Sequence, residues 1–243
     1  MKLKKVYGIY AARALLQQKD AKVSKLLLQK TDNKRVAEIY KLAISRGSVE
    51  IEYAKSSKLD ELTDNAVHQG VLIYYTASQP QLDLYDLIAS KSGSVLVLIL
   101  DGVVDPSNLG ACIRSAAAFN VDAVIIPKDK AVAVNETVRK VAAGGADMVP
   151  VYPVTNLVRT MDALAGHGIW FYGLTEKAGQ TISEMNFSGN IGIVMGGEEK
   201  GMRDLTAKKC DHLIKLPTSD DFSTLNVSVA TGITLYEVKR QLG

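Results

Sequence analysis

Residues 100–116 read LDGVVDPSNLGACIRSA, the end of an apolar strand running through a glycine-bearing loop into a helix. Pro106 and Ser107 are helix-start residues, because a fixed φ suits the first turn and a short polar side chain caps it. Beyond them Leu109, Cys112, Ile113 and Ala116 recur at helical spacing and form a core stripe. Ser107, Ala111, Arg114 and Ala118 form a second stripe, small or polar apart from one long arginine. A strand that feeds a helix in this way is the repeating unit of a parallel α/β sheet. The same rhythm extends outward in both directions. Short apolar strands are expected at 95–100, 123–126, 169–172, 191–195 and 212–216, with helices at 109–119, 135–142 and 157–165. Residues 94–243 therefore read as a mostly parallel α/β domain with helices on both faces.

The first part of the chain has a different character. Residues 1–77 carry 14 Lys or Arg against 8 Asp or Glu, whereas the remainder carries 15 against 18. The net charge of +3 thus hides a basic module beside a mildly acidic one, which suits a polyanionic partner. Helices are expected at 9–16, at 35–43 and around Leu59 and Leu62, with strands at 23–28, 49–53 and 71–75. Gly47 ends the second of these helices. Ala77, Ser78, Gln79 and Pro80 are loop residues, so 78–93 reads as a linker holding a short helix at 83–88.

Composition excludes several function classes. The longest apolar run, 95–100, is too short to cross a bilayer, and no apolar segment follows the basic residues Lys2, Lys4 and Lys5. A cytoplasmic protein with two reduced thiols, Cys112 and Cys210, is expected. Three scattered histidines give no metal site. A GxGxxG fingerprint is absent, which counts against a dinucleotide enzyme.

Two further segments have the same design as the first. Residues 191–202, IGIVMGGEEKGM, leave a strand through adjacent glycines that permit close backbone approach, and Glu198 there could orient a substrate or an arginine. Residues 224–230, TLNVSVA, set Thr224 and Asn226 where a loop becomes a helix, a place whose free N–H groups can hold a ligand. Taken alone, Arg114 is either a surface ion-pair partner or part of a nucleotide-binding βαβ unit, whose fingerprint is missing. His68 and Gln69 are either RNA-contacting side chains or a strand-entry turn.

In this order and at this end of the chain, the three segments resemble the motifs of the SpoU/TrmH family of S-adenosylmethionine-dependent RNA 2′-O-methyltransferases, and the likeness extends over nearly the whole chain. The resemblance implies a trefoil-knotted catalytic domain, a homodimer, S-adenosylmethionine as methyl donor and a guanosine of 23S rRNA as target. A tRNA target and an RNA-binding relative with weakened catalysis are the alternatives. Residues 1–77 would be the ribosomal-protein-like RNA-binding domain, matched best at Tyr7-Gly8-Ile9 and Val67-His68-Gln69-Gly70. Asn108, Gly110 and Arg114 fall on the family's Asn-x-Gly-x-x-x-Arg pattern. With Glu198 and Asn226, Asn108 and Arg114 are the expected catalytic residues. Gly196, Leu216, Leu225 and Thr224 are expected to hold the cofactor. The resemblance implies an activating base at Arg114, but a guanidinium stays charged, and bidentate binding of the neighbouring phosphate with stabilisation of the developing 2′-alkoxide is the more economical role. The chain departs from the family pattern at Gly197, Glu199 and Thr224, and at Thr218-Ser219-Asp220, where Met-Ala-Gly is usual. Asp220 brings a charge into the cofactor loop and is expected to weaken binding there.

Overall fold

The computed structural model describes residues 3–17, 21–76, 82–219, 221 and 224–243. The boundary expected near residue 77 and Asp220 both lie outside the described residues. The chain divides into two compact units, 1–81 and 82–243.

The first unit contains β1 (Lys4–Tyr7), α1 (Ile9–Gln17), β2 (Lys22–Gln29), α2 (Lys34–Arg46), β3 (Glu50–Ala54), α3 (Ser56–Leu62) and β4 (Val71–Thr76). Its sheet runs β1-β4-β2-β3, with β4 antiparallel to both neighbours and β2 parallel to β3. Strand alternation sorts β2 onto two layers. Leu26 and Leu28 pack with Ile9, Ala12, Val36 and Ile39 of the helices α1 and α2, while Leu27 packs with Leu59 of α3 and Leu72 of β4. Helix α2 is closed at both ends. The Asn33 carboxamide accepts from the Arg35 N–H at 2.9 Å, and Gly47 takes the left-handed φ of 78° that ends it.

Strand β1 was not expected. Its sequence, KKVY, buries only Val6, and an edge strand this short shows no alternation to read. His68 resolves to the structural alternative. The buried ring accepts from the Gly70 N–H at Nδ1 (2.9 Å) and faces the Asp60 carboxylate at Nε2 (3.0 Å), so both nitrogens are engaged at the entry to β4.

The second unit contains α4 (Leu84–Ala89), β5 (Leu96–Asp101), α5 (Pro106–Ala118), β6 (Ala123–Pro127), α6 (Glu136–Ala142), α7 (Gly145–Met148), β7 (Val151–Val154), α8 (Leu157–Ala165), β8 (Ile169–Leu174), β9 (Gln180–Thr181), β10 (Asn190–Gly196), α9 (Asp204–Ala207), β11 (His212–Lys215) and α10 (Val227–Leu242). Its seven-stranded sheet runs β7-β6-β5-β10-β8-β11-β9, and every pairing is parallel. All six residues of β5 are buried, as a parallel strand covered on both faces requires. Leu96, Leu98 and Leu100 join the core beneath α5 and α10, while Val97 and Ile99 join α4 and α8. The sheet is wider than expected by β7 and β9, both at its edges. β7 reads VYPV, and a proline without an N–H is tolerated only where one side of the strand is open.

This topology positions the site. The late strand β10 lies beside β5, with Gly196 opposite Asp101, so the loops after these two strands emerge side by side.

Candidate active site

The three segments meet through side-chain hydrogen bonds. The Asn108 Nδ2 on α5 donates to the Glu198 Oε1 at 2.6 Å, and the Asn226 Nδ2 donates to the Asn108 Oδ1 at 3.0 Å. Asn226 caps α10, where its Oδ1 accepts from the Ser228 N–H at 2.9 Å and the Ser228 hydroxyl at 2.6 Å. Donation therefore runs in one direction, Ser228 to Asn226 to Asn108 to Glu198, and each amide is locked in one orientation. Asn108 is left with one N–H and one oxygen lone pair for a further partner.

Arg114 does not join this chain of bonds. It stands six residues beyond Asn108, about 9 Å along the helix axis. It is exposed and forms no ion pair among the described residues. Leu109, Cys112, Ile113 and Ala116 are fully buried, so the arginine lies on the open side of α5 together with Ser107 and Ala118. The surface ion-pair reading is not realised. Gly110 packs α5 against α6, where a Cβ would come within 2.7 Å of the Val141 side chain and 2.8 Å of the Val138 carbonyl.

Sequence reading missed the clamp that shapes the Glu198 loop. The Asp101 side chain is fully buried at the end of β5 and accepts from the Arg203 backbone N–H (3.0 Å), from Arg203 Nε (2.6 Å) and from Arg203 Nη2. The Asp101 carbonyl takes the Gly197 N–H at 2.9 Å, and the Gly197 carbonyl takes the Gly201 N–H at 3.0 Å. A Cβ on Gly196 would lie 2.1 Å from the Gly201 carbonyl carbon, and one on Gly197 would lie 2.3 Å from the Gly102 carbonyl oxygen. The loop after β10 is thus pressed against the loop after β5. Glu199 is exposed, and the left-handed residue here is Gly201 (φ 65°), so the departure at Glu199 costs the backbone nothing. The available signal was a carboxylate ending an otherwise apolar strand.

Of the expected cofactor residues, Gly196 is half-buried at the tip of β10 and Leu216 is half-buried against the core, whereas Thr224 and Leu225 are exposed just before α10. The main-chain groups of Leu216 and Leu225 make none of the described backbone hydrogen bonds. Burial pushes the Cys112 thiol up to about 11 and the Cys210 thiol up to about 12, so neither is a nucleophile at neutral pH. Among the described residues no group of His, Cys, Asp and Glu could hold a metal ion, and no helix is long and apolar enough to cross a membrane.

The SpoU rRNA Methylase family model matches residues 94–236. The chain belongs to the SpoU rRNA methylase family. A second model, for the substrate-binding region of RNA 2′-O ribose methyltransferases, matches residues 5–81. The 23S rRNA (guanosine-2′-O-)-methyltransferase RlmB of Escherichia coli is 45% identical over 239 residues, 97% of this chain and 98% of that one. Its counterpart from Xanthomonas campestris is 43% identical over the same length, 97% of this chain and 96% of the relative. The SpoU methyltransferase AviRb from Streptomyces viridochromogenes, solved with AdoMet, has the same fold, with a TM-score of 0.71, 21% identity and coverage of 98% and 90%.

Proposed function

We propose that this SpoU protein transfers a methyl group from S-adenosylmethionine to the ribose 2′-OH of a guanosine in 23S rRNA. The observation that carries the proposal is the one-way chain of hydrogen bonds from Asn226 through Asn108 to Glu198, which joins the three segments into one site. Relatives named for this activity, 43% and 45% identical over almost the full length, support the choice of substrate.

Bound S-adenosylmethionine supplies an electrophilic methyl group. Gly196, Leu216, Leu225 and Thr224 would hold it, the leucines giving an apolar slot and their free main-chain groups giving hydrogen bonds to adenine. Asn108, already oriented on both sides, offers its remaining N–H and lone pair to the ribose. Arg114 forms no ion pair among the described residues, so its guanidinium is available for the phosphate beside the target and for the charge that develops on the 2′-oxygen. Because the Glu198 loop is clamped by Asp101 and Arg203, little reorganisation is needed during reaction.

Residues 1–77 recognise RNA, residues 94–243 form the knotted catalytic domain, and the protein works in the cytoplasm as a homodimer. Val229, Ile233 and Tyr236 leave an apolar face exposed along α10, which suits a second copy. A scattering mass of one chain would rule the dimer out. The activity itself is tested by comparing 23S rRNA from cells with and without the gene. One 2′-O-methylguanosine should disappear, and an unchanged methylation map would reject the proposal.

A further inference from the structure

The first unit carries two adjoining hollows at the carboxyl ends of the parallel strands β2 and β3. One, of about 380 Å³, is lined by Gln29, Thr31, Asn33, Arg35 and Gln69. The other, also about 380 Å³, is lined by Gln29, Lys30, Tyr53, Lys55 and Ser56. Gln29 belongs to both, so they are neighbours.

Their side chains have hydrogen-bonding capacity to spare. The Gln29 carboxamide makes none of the described side-chain bonds. Gln69 uses only its Oε1, which accepts from the Ile9 N–H at 3.0 Å and so aims the amide nitrogen. Asn33 spends its oxygen on capping α2 and keeps its Nδ2. Lys30, Arg35 and Lys55 form no ion pair among the described residues. Elsewhere in the same unit Lys5, Arg13, Lys25 and Lys58 are paired with carboxylates, while Lys4, Lys22, Lys34 and Lys41 form no ion pair among the described residues. Tyr53 is 56% exposed and is braced from behind by Tyr40, with ring centroids 6.5 Å apart and planes 28° off parallel.

Amides, an open aromatic face and unpaired cations together match one class of ligand. Unpaired nucleotides present base edges for amides and π-faces for a tyrosine, with a phosphate between them. A duplex hides its base edges and offers nothing to fill a hollow. Ligands of open α/β sheets also gather beyond the carboxyl ends of the strands.

We propose that these hollows hold two successive unpaired nucleotides of the RNA substrate. One base is read by Gln29, Asn33 and Gln69, and its neighbour stacks on Tyr53. Lys30, Arg35 and Lys55 take the phosphates. This rests on, and deepens, the reading of the protein as an RNA methyltransferase.

The test titrates the full chain with a short single-stranded RNA of mixed sequence and with the same strand annealed to its complement, following anisotropy. Tyr53→Ala should weaken single-strand binding about tenfold and leave duplex binding unchanged, while Tyr53→Phe keeps the affinity. Arg35→Ala and Lys55→Ala should each lower the salt slope by about one. Equal single-strand affinities for wild type and Tyr53→Ala, or a preference for duplex, would overturn the proposal. Methylation of 23S rRNA by the wild-type protein is measured alongside. If it is present while Tyr53→Ala binds normally, only the nucleotide site fails; if wild type binds single strands as expected but transfers no methyl group, the enzymatic reading fails.

Discussion

The two units handle their polar groups in opposite ways. In the second, Asp101 is held by Arg203, Glu198 by Asn108 and Asn108 by Asn226, and Arg114 forms no ion pair among the described residues. In the first, Lys30, Arg35 and Lys55 line the hollows and form no ion pair among the described residues. Groups fixed in advance, as Asn108 and Glu198 are, can orient a ribose with little reorganisation, whereas loose cations displace counterions and bind a backbone. The difference separates a site built for chemistry from a surface built for attachment.

The sharpest way to break this contrast is Arg114→Ala. Methyl transfer should fall about 100- to 1,000-fold while calorimetry shows unchanged S-adenosylmethionine affinity, because the arginine serves the RNA phosphate and the reacting charge rather than the cofactor. Activity within a few-fold of wild type would remove Arg114 from the site. Next, Asn108→Ala and Glu198→Ala should each slow transfer by about 10- to 100-fold, the worth of a hydrogen bond to a charged group. The double variant should be no slower than the worse single one, since both cut the same bond. Additive losses would show two independent roles.

Truncation sharpens the comparison from the other side. A chain starting at Leu82 should stay folded, bind S-adenosylmethionine and lose most RNA affinity with its salt dependence. Starting at Ser90 instead removes the buried Leu84 and Ile88 from the second core, at a cost of roughly 3–6 kcal/mol in denaturant unfolding. Equal stability of the two chains would contradict that packing. The smallest effect concerns the thiols. Because burial raises Cys112 to about 11 and Cys210 to about 12, thiolate is scarce below those values, and alkylation of the native protein should stay slow at pH 8. Rapid labelling would place a thiol in the open.

The second unit was legible because its strands are buried on both faces and therefore read as continuous apolar runs, as in 95–100 and 191–195. The edge strands β1, β7 and β9 lack that signature, being polar, proline-bearing or two residues long. Glu198 and Asn226 could be picked out as chemistry-bearing types at loop ends, and Asn108 only through the family's pattern. Their mutual bonds could not, because partners 90 and 118 positions apart are joined only by the strand order. The Asp101–Arg203 clamp was hidden for the same reason. The hollows around Gln29 were invisible, since Tyr53 reads as one more strand residue until Tyr40 is seen behind it.

The central claim is that the three joined segments form one site for ribose methylation. Purified protein should be incubated with S-adenosylmethionine and unmodified 23S rRNA, and the product digested to nucleosides for mass spectrometry. A single new species, 2′-O-methylguanosine, is expected, formed about 100- to 1,000-fold more slowly with Arg114→Ala. A methyl group on a base, or no transfer from a preparation that binds both S-adenosylmethionine and RNA, would contradict it.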